Sequence, residues 1–122
     1  MKIDFESETP IYLQIAAQIE DSVLSGAFAE ETQVPSTTEI STLYQINPAT
    51  VLKGMALLVD SGILYKKRGV GMFVKQGAVE KVREKRQQSF YEDYIVKLLD
   101  EAKKLGIGSD ELVQMIVKGA EK

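Results

Sequence analysis

Lys66, Lys67 and Arg68 stand side by side, followed by Gly69 and Gly71, with Lys75 just beyond and Lys53 on the preceding segment. Cations beside glycines suit the binding of phosphates. Lysine and arginine supply charge and donors, and a residue without Cβ lets the backbone come close to a groove. Within residues 43–76 these five cations face a single acid, Asp60, whereas residues 1–42 hold only Lys2 against eight acids. Residues 77–122 carry nine of each sign, so the net charge of −3 conceals one basic segment. Such a cluster is ordinarily a solvated hairpin tip. The lack of acids beside it favours an electrostatic footprint for a polyanion.

Other chemistries are poorly supplied. The chain has no cysteine and no histidine, hence no disulfide, no thiolate or imidazole metal ligand, and neither the usual nucleophile nor the usual general base. Carboxylates such as Glu92 and Asp93 are adjacent in sequence and splay apart on a helix, which does not suit paired acid–base work. The sequence therefore predicts no enzyme, no metal and no cofactor. No apolar run approaches the length of a membrane span, and "MKIDFESETP" is not a signal peptide, so a cytoplasmic protein is expected.

The elements that would position the cations are legible in the hydrophobic pattern. Ile11, Ile15, Ile19 and Val23, joined by Tyr12, Ala16 and Leu24, mark an amphipathic helix with Thr9 as its cap, Pro10 in its first position and Gly26 as its stop. A loop with a short strand near Gln33–Val34 follows. Ser36 caps a two-turn helix over Thr37–Tyr44, with Ile40, Leu43 and Tyr44 facing inward. Gln45–Ile46 makes a tight turn, Asn47 caps, and Pro48 opens a third helix on which Val51, Met55, Leu58 and Val59 form the buried stripe. Two helices joined by so short a turn are a helix-turn-helix. Ser61–Gly62 ends the third helix. The runs Ile63–Lys66 and Gly71–Lys75 then read as a hairpin around the basic turn, the wing of a winged helix.

From Gly77 the pattern is a long helix, ended by Gly106 as its C′ residue. A last helix follows, capped by Ser109, with Asp110 and Glu111 in its first turn. The expected fold is mainly α with one small β-hairpin. A winged helix-turn-helix spans 1–76 and a helical tail spans 77–122. At 122 residues such a chain buries only a modest core. The tail has more apolar surface than it can cover, and should pack on another subunit, on the winged domain, or on both.

The ordered set "TPIYLQIAAQIEDSVLSG", "VPSTTEIS" and "INPATVLKGMALLVDSGILYKKRGVGMFV" resembles the GntR family of bacterial transcription regulators. The short helical tail looks like its YtrA-type branch. The resemblance covers Thr9–Val74 in order, and the tail by architecture. It implies a homodimeric regulator, usually a repressor, that binds an inverted-repeat operator in double-stranded DNA through the winged helix and dimerises through the tail. Carried over by position, Ser36 would meet a phosphate. Asn47, Ala49, Thr50 and Lys53 would be the exposed recognition-helix residues, and Arg68 with Gly69, beside Lys67, would form the wing tip. Phe90, Tyr91, Tyr94, Ile95, Leu98, Leu112 and Ile116 would form the dimer interface. Two positions depart from the family pattern. Thr38 stands where an arginine is usual, and Leu52 stands where a charged or polar residue is frequent. Each missing charge takes away a possible phosphate or guanine contact, a good bidentate base contact being worth about 1–3 kcal/mol. The competing reading is a winged helix used as a protein–protein module, which the acidic first helix and Thr38 make thinkable. The tail being too short for a ligand domain, a small-molecule effector would have to lodge in a crevice between tail and winged domain, and an apolar ligand near Phe90–Tyr94 would alter the angle between the two winged domains.

Overall fold

Helix α1 (Ile11–Ser25) forms where apolar residues repeat every four positions, and Ile15, Ala16, Ile19 and Val23 are all buried in the computed structural model, which describes residues 1–122. The helix begins one residue later than the sequence suggests. Pro10 takes the capping position, and Thr9 does not cap: its carbonyl accepts a hydrogen bond from the Gln14 side chain at 2.8 Å. The Pro10 carbonyl accepts from Leu13 and Gln14 N–H, and a residue that has no N–H of its own loses nothing there. Gly26 ends the helix in the left-handed region at φ +84°. Ahead of the helix, the amides of Gln14 and Gln18, one turn apart, each exchange two hydrogen bonds with the backbone of Asp4 and Lys2. The N-terminal segment is thereby held along α1.

Helix α2 (Thr37–Tyr44) opens with a reciprocal cap. The Ser36 hydroxyl accepts the Glu39 N–H at 3.0 Å, and the Glu39 carboxylate accepts the Ser36 N–H at 3.1 Å. Ile40 is its one buried residue and Tyr44 is half-buried. Leu43, expected to face inward, is 73% exposed. A two-turn helix offers one narrow stripe, and Ile40 with its i+4 partner Tyr44 occupies it. Gln45 closes the helix in the left-handed region at φ +55°, and the Ser41 hydroxyl donates to the Ile46 carbonyl at 2.6 Å, fixing the turn.

Helix α3 (Pro48–Asp60) starts at the Asn47 cap, whose side-chain oxygen accepts the Ala49 N–H at 2.8 Å. Val51, Gly54, Met55 and Leu58 are buried, while Val59 is only half-buried. Gly54 sets the separation of α1 and α3. A Cβ there would lie 2.7 Å from the Tyr12 carbonyl oxygen and 3.2 Å from the Ile15 side chain. The hairpin pairs β1 (Leu64–Lys67) with β2 (Gly71–Val74), in antiparallel register from Leu64↔Val74 to Lys67↔Gly71. The strand expected near Gln33–Val34 is a single bridge, Gln33↔Phe73, flanked by Val34 N–H to Met72 carbonyl and Val74 N–H to Thr32 carbonyl bonds of 3.0 Å each.

The chain divides into two compact units, 1–84 and 85–122. The boundary lies beyond residue 76 because Ala78 and Val82, in the first turns of helix α4 (Ala78–Phe90), are fully buried in the core of the first unit. The Glu30 carboxylate accepts the Gly77 and Val79 N–H groups at 2.9 and 3.0 Å, so it caps α4 from a distant loop. In the second unit the long helix expected from sequence is interrupted by a π-helical turn, Tyr91–Ile95, before α5 (Val96–Lys104). Gly106 is left-handed at φ +70°, as its place after α5 requires. Helix α6 (Ser109–Ala120) starts with Ser109 as its first helical residue and Gly108 in the capping position, so Ser109 is not the cap. No helix is long and apolar enough to cross a membrane. The fold is mainly helical with one hairpin, a winged helix-turn-helix followed by a helical tail.

Two outcomes follow from these contacts. Gly54→Ala, which helix propensity alone would make stabilising by about 1 kcal/mol, is expected to destabilise by about 1–3 kcal/mol through overpacking against a carbonyl that cannot yield. Chemical denaturation gives the sign. The second concerns Glu30, whose carboxyl the Gly77 and Val79 N–H donors hold below the usual glutamate range. Because the folded value is the lower one, its contribution is complete above the unfolded value and is lost as pH falls through the folded value. Thermal melts of Glu30→Gln should therefore show a lower Tm than the parent at neutral pH, with the gap closing in acid.

Candidate nucleic-acid interface

The start of α2, the start of α3 and the hairpin carry every residue expected to meet DNA, and α3 packs against both α2 and β1. The Thr37 hydroxyl lies 3.6 Å from the Met55 sulfur and ties the first turn of α2 to the middle of α3. Each helix begins with a satisfied side-chain cap, which leaves further first-turn N–H groups and the positive end of the dipole outward. Ser36 is half-buried at its cap, and Thr38 is exposed in the first turn of α2, where Thr37 is half-buried. Asn47 and Ala49 are exposed at the start of α3, and Thr50 is half-buried beside them. No acidic residue occurs between Glu39 and Asp60.

Lys53 lies on the outward face of α3, but not as a free lysine. Its Nζ sits 4.0 Å from the centre of the Tyr12 ring on α1, a cation–π contact that aims the ammonium and limits its freedom. Lys67 is held similarly, with Nζ 4.4 Å from the centre of the Phe73 ring, across the hairpin. Phe73 stacks on Tyr65 at 5.8 Å, and the Tyr65 hydroxyl donates to the Glu31 carboxylate at 2.8 Å. That bond holds the Tyr65 phenol above its ordinary pKa, and it anchors the base of the wing. At the tip, Arg68 and Gly69 are exposed within a turn closed by the Val70 N–H to Lys67 carbonyl bond of 2.9 Å. Gly69 is left-handed at φ +77°, so the turn needs glycine there whether or not a groove approaches it. The Gln33 amide donates to the Val70 carbonyl at 3.0 Å and braces the tip from outside the hairpin. A Cβ at Gly71 would come within 2.5 Å of that amide nitrogen.

The supporting roles of Tyr12, Gln33 and the Glu30–Glu31 pair have no signature in the sequence. Only the Ser36–Glu39 box has a local signal, a serine followed three residues later by glutamate. The others act across contacts that spacing does not reveal.

In the second unit, Phe90, Tyr91, Tyr94 and Ile116 are each more than half exposed and Leu98 is 38% exposed. Ile95 is half-buried, and Leu112 is buried within this unit, so it offers a partner little surface. Phe90 and Tyr94 tilt against each other with ring centres 5.3 Å apart.

Comparison with known proteins agrees with this geometry. Residues 11–74 match the family model of bacterial regulatory proteins of the gntR family. Across its whole length the chain is 30% identical to the HTH-type transcriptional repressor YtrA of Bacillus subtilis (strain 168), covering 98% of that protein. The regulators YurK and NagR of the same organism are longer, and the chain spans 28% and 33% of their length. Among solved structures, a GntR family transcriptional regulator from Listeria monocytogenes superposes with a TM-score of 0.75 at 26% identity, over 93% of this chain and 98% of that one. AraR(DBD), solved in complex with operator ORE1, superposes with a TM-score of 0.53 at 26% identity, over 61% of this chain and 93% of that one. On the match over more than half its length and on the full-length likeness to YtrA, the chain belongs to the GntR family of bacterial regulatory proteins.

Proposed function

We propose that this DNA-binding regulator is a cytoplasmic homodimeric repressor that occupies an inverted-repeat operator. The observation that carries the reading is one set of elements, the capped starts of two helices beside a braced basic hairpin, in which Glu39, turned back onto the Ser36 N–H, is followed by no acid until Asp60. Each protomer lays α3 in a major groove, with Asn47, Ala49, Thr50 and Lys53 toward the bases and phosphates. Ser36 and Thr38 face the backbone, and Lys67, Arg68 and Gly69 follow the adjacent minor groove. The likeness to a repressor over almost the whole of both chains supports the regulatory sense, and the operator complex of AraR(DBD) supports the mode of docking. Dimerisation joins two such surfaces. It uses the exposed Phe90, Tyr91, Tyr94, Leu98 and Ile116, an apolar set that a monomer leaves in water.

Lys53→Ala and Arg68→Ala are expected to weaken operator binding and to flatten the plot of log affinity against log salt by about one unit for each phosphate that is no longer neutralised. Fluorescence titration across salt concentrations measures both, and an unchanged slope in the two variants would sink the assignment. Replacing Tyr94 and Leu98 together by glutamate should convert the dimer to a monomer in sedimentation. A dimer that survives this change would place the interface elsewhere.

A further inference from the structure

Leu52 is apolar and 52% exposed on the helix assigned above to the major groove. It follows Ala49 by three residues and adjoins Lys53, and all three are exposed. The core is served by the opposite face, through Val51, Gly54, Met55 and Leu58. A lone exposed leucine means little in general. This one is set apart by its place, beside Lys53 in a stretch that carries no acid from Ile40 to Val59, so the charge pattern draws a polyanion to a spot where the side chain itself can bond no phosphate. Of the groups on the floor of the major groove, one is apolar, the C5 methyl of thymine.

We infer that Leu52, with Ala49 beside it, reads thymine methyl groups in the half-site. Specificity at that base pair comes from a desolvated methyl contact rather than from a hydrogen bond. The inference rests on the operator-binding reading, and it adds a chemical class to the sequence being read: a T·A pair under the middle of α3, next to the base or phosphate met by Lys53. Because the Lys53 ammonium leans on Tyr12, the leucine beside it stays open to the groove.

The test uses the full chain and duplexes that it selects from a random library. Each thymine of the selected half-site is replaced singly by uracil, which removes the methyl and leaves the Watson–Crick edge unchanged. At one or two positions the parent should lose about fourfold in affinity, the amount that goes with burying one methyl. Leu52→Ala should bind thymine and uracil equally there, and Leu52→Met should recover the discrimination. Leu52→Arg should move the preference at that pair toward G·C. The exposed position makes all three variants foldable, which thermal melts verify. If uracil costs the parent and Leu52→Ala the same at every position, Leu52 does not read methyls, although operator binding stands. If no duplex is enriched and binding is insensitive to salt, the inference falls together with the operator reading.

Discussion

The approach of α1 to α3 at Gly54 is the constraint on which the first unit depends. Where most helix pairs are held apart by side chains on both surfaces, here the Tyr12 carbonyl occupies the space a Cβ would need. Close approach lets Ile15 and Ile19 pack with Val51, Met55 and Leu58 as one core. It also decides what lies outward. With α3 seated so deeply on α1, the Tyr12 ring reaches Lys53, and the same seating exposes Ala49, Leu52 and Lys53. The face of α3 that carries them is the back of a tightly packed pair, and its rigidity comes from the pair.

The wing gains its order differently. A hairpin of two four-residue strands is too short to be stable through its own ladder, and the preceding loop supports it through backbone bonds to Met72 and Val74 and through two side chains. Gln33 braces the tip through the Val70 carbonyl, Glu31 takes the Tyr65 hydroxyl and the Gln76 N–H, and Glu30 caps the helix that follows. The acids of the preceding loop, which look like an obstacle to DNA in a charge count, thus face backbone donors and a phenol. The basic tip keeps its field, and the acids become part of the support.

Much of this is legible in the sequence because it is local. Caps at Ser36 and Asn47, stops at Gly26 and Gly106, the hairpin and the buried stripe of α3 each depend on a few neighbouring residues whose preferences agree with the fold. Leu43 departs from its expected place because two turns of helix carry too little periodicity to separate one flank from the other, and tertiary packing chose Tyr44. Thr9 and Ser109 look like caps by type, but each lies one position from where the chain needs one. In the interface, charge identifies the surface, while the braces that aim it are invisible. Glu30 and Gly77 are 47 residues apart, and no pattern joins them. The residues that face solvent to meet a ligand are legible by type, and those that hold them depend on tertiary contact.

The π-helical turn at Tyr91–Ile95 has a consequence for how the tail tolerates change. The Val96 N–H reaches back to the Tyr91 carbonyl, one residue farther than an α-helical bond would. This stretch therefore holds one residue more than a regular helix of the same course would need. Removing a single residue here would let the helix anneal to regular geometry, and the residues on either side could keep their facing. The same deletion a few turns away would rotate everything beyond it by about 100°. The aromatic segment of the tail is thus an elastic joint in chain length, a place where the helix carries a residue that it can give up.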